Sequence, residues 1–132
     1  MTRQVLARRL LVFVLPLSLA GVVAVGGSRA ADAQEPTRHE LELKVRKYQF
    51  SQARIEVAQG DVVAITLIAE DVPHSFTVDE YRIAKRAAPG KPVRFEFRAD
   101  RAGTFPFYCN LTSEDAGCKN TRGELIVSAR RP

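Results

Sequence analysis

The chain is poor in the side chains that bind metals or attack substrates. Its 132 residues include two cysteines, Cys109 and Cys118, and two histidines, His39 and His74. The sequence contains no Ser-His-Asp order, phosphate-binding loop or zinc-protease motif. Hydrolytic catalysis would also need a second acid–base group beside His74, and none is evident. We therefore predict that the protein is not an enzyme.

Charge is absent from an N-terminal apolar segment. Residues 10–27 are uncharged and follow the basic residues Arg3, Arg8 and Arg9. Two small-residue patterns come next, at 28–30 and 31–33, and this order is typical of a secretory signal peptide. We predict a signal peptide at residues 1–33, a mature domain at 34–132 and a periplasmic or secreted location. A retained membrane anchor is the alternative.

The excess of positive charge lies largely in this leader. The whole chain has a formal net charge of +5, and the leader contributes four arginines against one aspartate. The mature domain has no basic stripe with interleaved aromatic residues, so we predict no nucleic-acid partner. About a hundred residues can bury one modest core. We expect a monomer that has no membrane contact after the leader is cleaved.

A convincing amphipathic helix is also missing, whereas strand signals are frequent. Apolar and polar residues alternate around 41–45, 55–57 and 93–97, a period of two that indicates half-buried strands. Residues 62–69 are nearly all apolar and predict a strand buried on both faces. Seven or eight such short strands indicate an all-β fold, a Greek-key β-sandwich.

Four local features qualify this pattern. The alternation shifts phase near Lys47, which predicts a bulge or a break. Residues 79–85 are compatible with a strand or an irregular loop. Pro106 suggests that its strand lies at a sheet edge or contains a bulge. The basic tail, residues 128–132, is expected to be frayed.

Several motifs, taken in order, resemble the cupredoxins. The similarity is greatest to the copper A type domain of cytochrome oxidase subunit II and nitrous oxide reductase. The resemblance implies a cupredoxin-like sandwich with a copper site, built from one imidazole on an interior loop and further ligands between the last two strands. The matching segments are Tyr48-x-Phe50, Gly60-Asp61, Asp71-Val72-x-His74-Ser75-Phe76, Gly103-Thr104-Phe105-x-x-Tyr108-Cys109 and Arg122-Gly123-x-Leu125-x-Val127.

The ligand loop departs from the copper A pattern. Cys109 occupies the first cysteine position, but the second falls near Ser113. Cys118 stands where the pattern has histidine, and Thr121 stands where it has methionine. A binuclear copper A centre therefore cannot be assembled. An ordinary blue copper site, which needs two histidines and one cysteine, cannot be assembled either.

Two interpretations of the remaining residues stay open. In the first, His74, Cys109 and Cys118 bind copper, because soft thiolate ligands favour Cu(I). The protein would then serve in electron transfer or copper handling, with a redox or copper-donor protein as partner. In the second, a Cys109–Cys118 disulfide stabilises a metal-free accessory or binding domain. His39 precedes the first strand, and we expect no role for it.

Overall fold

The described part of the chain is built almost entirely from short strands. The structure, a computed structural model, describes residues 34–111 and 117–131. The predicted signal peptide and Ser113 lie outside the described residues. The strands are β1 Arg38–Arg46, β2 Gln49–Phe50, β3 Arg54–Ala58, β4 Val62–Ala69, β5 His74–Val78, β6 Ile83–Ala87, β7 Val93–Arg98, β8 Gly103–Tyr108 and β9 Arg122–Ser128. Two 3-10 turns, Asp79–Tyr81 and Cys118–Asn120, lie between strands.

The strands form two sheets. The first sheet has the order β2-β1-β4-β7, and the second has the order β3-β9-β8-β5-β6. The pairs β1–β4 and β3–β9 are parallel, and the other pairs are antiparallel. The predicted two-sheet sandwich is therefore confirmed. Within the described residues, no helix has the length and apolar character needed to cross a membrane.

The core lies between the sheets and follows from the alternation of side chains along each strand. Phe76 of β5 and Phe107 of β8 are fully buried, and their ring centroids are 5.0 Å apart. Phe50 contacts Phe107 edge to face at the same centroid distance. Burying side chains of this size stabilises the fold by about 1.5–3 kcal/mol each. Aliphatic residues of both sheets complete the core: Leu43, Val45, Ile55, Val57, Val63, Ile65, Leu67, Val78, Leu125 and Val127.

Two strand predictions were inaccurate. In β4, the face that includes Val63 and Ile65 is buried, but Val62, Thr66 and Ile68 on the other face are only half-buried. Within the described residues no third layer covers that face, and only the small side chain of Ala64 is buried there, so the apolar run does not reflect burial of every residue on both sides. For the strand that contains Pro106 we expected either a sheet edge or a bulge, and the edge is wrong because this strand lies between β9 and β5. It pairs with β5 only at Tyr108, so Pro106 has no strand partner on that side.

The C-terminal tail is anchored at least as far as Arg130, which corrects the expectation of fraying. Arg130 Nη2 donates to Asp61 Oδ1 at 2.6 Å. His39, for which we expected no role, donates from Nε2 to Asp61 Oδ2 at 2.7 Å. Asp61 is nearly fully buried. These contacts bind both ends of the described chain to the start of β4.

The other two local predictions agree with the structure. The break near Lys47 is the turn between β1 and β2. Residues 79–85, which were compatible with a strand or an irregular loop, contain a non-strand segment followed by a strand, because the 3-10 turn Asp79–Tyr81 leads into β6.

Candidate metal centre

His74 and Cys109 face the same end of the core because of strand register. In the antiparallel β5–β8 pair, Thr77 lies opposite Tyr108, and residues that lie opposite each other share a face. Phe76 and Cys109 therefore both point inward, as does His74, two residues before Phe76. The backbone N–H of Ser75 donates to Cys109 Sγ at 3.3 Å. The interior histidine and the sulfur that the sequence singled out are thus neighbours.

Cys118 joins this group through a covalent bond. Cys109 and Cys118 form a disulfide with Cα atoms 5.2 Å apart, and both residues are buried. The alternative prediction of a disulfide is therefore confirmed. In the described residues, no three His, Cys, Asp or Glu side chains are arranged as a metal site. The role of His74, Cys109 and Cys118 as ligands stays a prediction.

Asp71 fixes the orientation of His74. The Nε2 atom of His74 donates to Asp71 Oδ1 at 2.9 Å. Asp71 also accepts backbone hydrogen bonds from Lys47 at 2.6 Å and from Val72 at 2.7 Å. Desolvation by itself would raise the pKa of Asp71, but these hydrogen bonds outweigh it and lower the pKa from 3.8 to about 2. A carboxylate accepts hydrogen bonds only, so the proton of neutral His74 lies on Nε2.

The other ring nitrogen of His74 is left without a partner. Nδ1 is buried and has no hydrogen bond in the described part of the chain. A buried polar atom without a partner costs about 1–3 kcal/mol. A metal-binding histidine typically has this arrangement, with one nitrogen donating to a carboxylate and the other available to the metal. His74 therefore fits a ligand role, and the two sulfurs fit one only after the disulfide is reduced.

Thr121 does not replace the methionine of the copper A pattern. Its hydroxyl donates to the carbonyl of Gly117 at 3.2 Å. The backbone N–H of Cys109 donates to the carbonyl of Thr121 at 3.1 Å. Thr121 is fully buried, and its hydroxyl is a harder donor than a thioether sulfur. It stabilises the loop around Cys118 by local hydrogen bonds.

Two supports of the site were not predicted from the sequence. Asp71 was part of a motif without a role of its own, although a carboxylate three residues before a candidate histidine ligand is a usable signal. The second support is the close packing of the Tyr48 ring on Gly117, where an added Cβ atom would lie 1.9 Å from the ring. Tyr48 is far from Gly117 in sequence, so no local pattern could have indicated this contact.

Comparison with known proteins agrees with this geometry. The chain matches the Cupredoxin-like domain family over residues 17–127. It belongs to that family. Cupredoxins are copper electron-transfer proteins, and many are non-catalytic carriers, although structurally similar proteins include copper enzymes. The prediction that this cupredoxin is not an enzyme is thus supported only in part.

Three relatives illustrate the range of similarity. Cytochrome c oxidase subunit 2 of Thermostichus vulcanus is 38% identical over 55 residues, which are 42% of this chain and 16% of that protein. A heme-copper terminal oxidase has a TM-score of 0.60 at 22% identity, over 68% of this chain and 65% of that one. Auracyanin A, a blue copper protein of Chloroflexus aurantiacus, has a TM-score of 0.55 at 17% identity, over 69% and 99%.

These comparisons bear on the fold more than on activity. The structural matches show a shared cupredoxin fold, and the resemblance to the copper A domain is confirmed as a distant similarity. This cupredoxin spans about a sixth of the length of the curated oxidase subunit that it matches.

Proposed function

We propose that this cupredoxin binds one copper ion as Cu(I) in its reduced state and serves in electron transfer or copper handling. The observation that carries the proposal is the buried Nδ1 atom of His74, which has no hydrogen-bond partner within the described residues. The next residue, Ser75, contacts the Cys109 sulfur through its backbone N–H. His74, Cys109 and Cys118 would hold the ion. Their soft donor set favours Cu(I). Copper would supply a one-electron change between Cu(I) and Cu(II).

Neighbouring residues favour cation binding by His74, Cys109 and Cys118. Asp71 accepts a hydrogen bond from Nε2–H of His74, so in the neutral imidazole Nδ1 carries no proton. The Ser75 N–H donates to Cys109 Sγ, and such a donor stabilises the thiolate that forms after reduction and deprotonation. Burial of His74 and both cysteines excludes water from the three donor atoms. These features support His74 and Cys109 as ligands of a soft ion once the disulfide is reduced.

Titration with Cu(I) against a competing chelator tests the proposal on reduced protein. Removing an outer hydrogen-bond partner of a ligand costs about 10–100-fold in metal affinity. We expect His74→Ala and Cys109→Ser each to weaken binding by more than this, and Asp71→Asn to weaken it within this range. His39→Ala is the matched control, because His39 binds Asp61 at the other end of β4. Wild-type binding no tighter than that of His74→Ala/Cys109→Ser would contradict the proposal.

A metal-free accessory or binding domain is the second candidate function. The disulfide between Cys109 and Cys118 favours it, because bonded sulfurs are not thiolate ligands. This function requires that the reduced protein, like the oxidised one, does not respond to copper. The same titration therefore distinguishes the two functions.

We also propose that the protein is exported and acts as a monomer in the periplasm or outside the cell. The layout of residues 1–33 and the disulfide, which persists in oxidising compartments, support this location. We expect cleavage after Ala30 or Ala33. Mass spectrometry of protein recovered from the periplasm or medium tests this expectation, and a chain that still begins at Met1 would contradict it.

A further inference from the structure

We propose that the outer face of the second sheet, beside the disulfide, is a docking surface for a protein whose contact surface is acidic. This surface, here called the basic face, comprises Arg86, Tyr108, Asn110, Lys119 and Arg122. The inference rests on the proposed function, because the partner would exchange electrons or copper at the site beneath this face. Beyond the proposed function, the inference specifies where the partner protein binds and which charge its contact surface carries.

Strand register assembles the basic face. Arg86 of β6 pairs with Ser75 of β5, and the Ser75 hydroxyl donates to Asn110 Oδ1 at 2.8 Å. Two residues further along β5 and β8, Tyr108 pairs with Thr77 of β5 on one side and with Arg122 of β9 on the other. Because residues that lie opposite each other share a face, Arg86 and Arg122 project from the same side of the sheet. Lys119 adds a third cation, and Arg122 Nε donates to its carbonyl oxygen at 3.0 Å.

The three cations of this face are exposed and have no carboxylate partner. Within residues 34–111 and 117–131, neither arginine nor Lys119 forms an ion pair. The outer face of the first sheet differs, because most of its cations are paired with glutamates: Arg38 with Glu96, Lys44 with Glu42, Arg46 with Glu70 and Arg94 with Glu40. Arg98, at the end of β7, is the exception and forms no ion pair within the described residues. The cations beside the disulfide are thus less neutralised than those of the first sheet.

A shallow opening lies on this face. It has a volume of about 230 Å³, and Cys109 is one of the residues that line it. Two of the cations, Lys119 and Arg122, line it together with Asn110 and Leu111. An acidic side chain at these two cations would therefore lie directly over the residue that carries the buried sulfur.

The charges around the basic face favour a partner with separate carboxylates over a partner that is a continuous polyanion. Glu124 lies two residues beyond Arg122 on the same strand, so its side chain shares this face. Asp79 is also nearby, because it accepts a hydrogen bond from the Tyr108 hydroxyl at 3.0 Å. These carboxylates would repel a nucleic-acid backbone or an anionic membrane across the face. A protein surface can match such an alternating pattern with individual acidic and neutral groups.

An NMR titration of the oxidised, copper-free protein with a peptide of alternating glutamate and serine residues, which presents separate carboxylates, tests the proposal. We expect the largest amide shifts at Cys109, Asn110, Lys119 and neighbouring residues of the basic face. Arg86→Gln/Lys119→Gln/Arg122→Gln should weaken binding about tenfold, which corresponds to roughly half a kcal/mol for each exposed charge. The matched control, Arg38→Gln/Lys44→Gln/Arg94→Gln, removes the same charge from the first sheet and should change binding less than twofold.

Three results would overturn the inference. If both triple variants weaken binding equally, only net charge matters and the basic face is not a site. If vesicles of phosphatidylserine and phosphatidylcholine bind the protein through this face and the acidic peptide does not, the occupant is a membrane. If the acidic peptide does not bind at all, the basic face is not a docking surface for an acidic protein, but the metal proposal stands. The titration contains no copper and no reductant, so a failure of Cu(I) binding would not alter its result.

Discussion

Two buried or partly buried carboxylates organise opposite ends of the sandwich at the residue scale. Asp71 holds His74 at the candidate site, whereas Asp61 connects His39, Arg130 and two backbone N–H groups at the start of β4. Desolvation of Asp61 would raise its pKa, but hydrogen bonds from His39, Thr37 and Ala58 lower it to about 2. The cost of burying this charge is thus offset by several donors.

Asp61 should make the stability of the fold depend on pH in the acidic range. A pKa that is lower in the folded state than its unfolded value of 3.8 stabilises the fold above about pH 4. This contribution, about 2 kcal/mol, should be lost as the pH falls from about 4 to 2. We expect Asp61→Asn to reduce the free energy of unfolding at neutral pH and to flatten its acid dependence.

Urea unfolding at a series of pH values measures this effect. Exposed Asp100 provides the control substitution, Asp100→Asn, because its side chain has no hydrogen bond or ion pair in the described residues. Parallel curves for wild type and Asp61→Asn would contradict the assignment.

The turn between β1 and β2 supports the site at the scale of structural elements. The N–H of Lys47 binds Asp71, which in turn orients His74. The ring of Tyr48 packs against Gly117, the residue before Cys118. A single turn therefore contacts the supports of both the histidine and the second cysteine, although these lie on different strands and loops.

Gly117→Ala should destabilise the protein because of Tyr48. The φ angle of Gly117 is −73°, which any residue can adopt, so the backbone would not be strained. The added Cβ would instead lie 1.9 Å from a ring carbon of Tyr48. Such overpacking costs about 1–3 kcal/mol. Chemical unfolding should show this loss in wild type and much less of it in a Tyr48→Ala background. Equal losses in both backgrounds would show that the clash is not the cause.

The disulfide contributes to stability at the scale of the whole molecule, because it closes the loop between the last two strands. Cys109 and Cys118 are separated by nine positions. On the chain-entropy account, a bond that closes such a short loop stabilises the fold by about 2–3 kcal/mol. This stabilisation is independent of copper, so it is expected under either proposed function.

Cys118→Ser should therefore reduce stability mainly under oxidising conditions. We expect a loss of about 2–3 kcal/mol without reductant and a small loss with dithiothreitol, where wild type also lacks the bond. Urea unfolding of both proteins in both buffers gives the four free energies required. A loss that is the same with and without dithiothreitol would instead indicate a packing role for the sulfur. Cys118→Ala is the further control, because alanine removes the sulfur without placing a hydroxyl group in the buried position as serine does.

Local sequence patterns were sufficient to predict most of the strands and to single out His74 and Cys109. Alternation in segments such as 93–97 is local, since each residue's face depends only on its position along the strand. The order of motifs around His74 and Cys109 was also sufficient to indicate a cupredoxin. Their placement on one inward face follows from strand register.

Tertiary structure alone decided the contacts between distant segments. Pro106 suggested an edge strand, but sheet order depends on which strands pair, and no single strand specifies that. His39 and Arg130 both bind Asp61, although they are far apart in sequence. The bond between Cys109 and Cys118 was one of two alternatives until the fold brought their Cα atoms within 5.2 Å. Local patterns determine which face a side chain occupies, whereas its partners depend on long-range packing that the patterns do not encode.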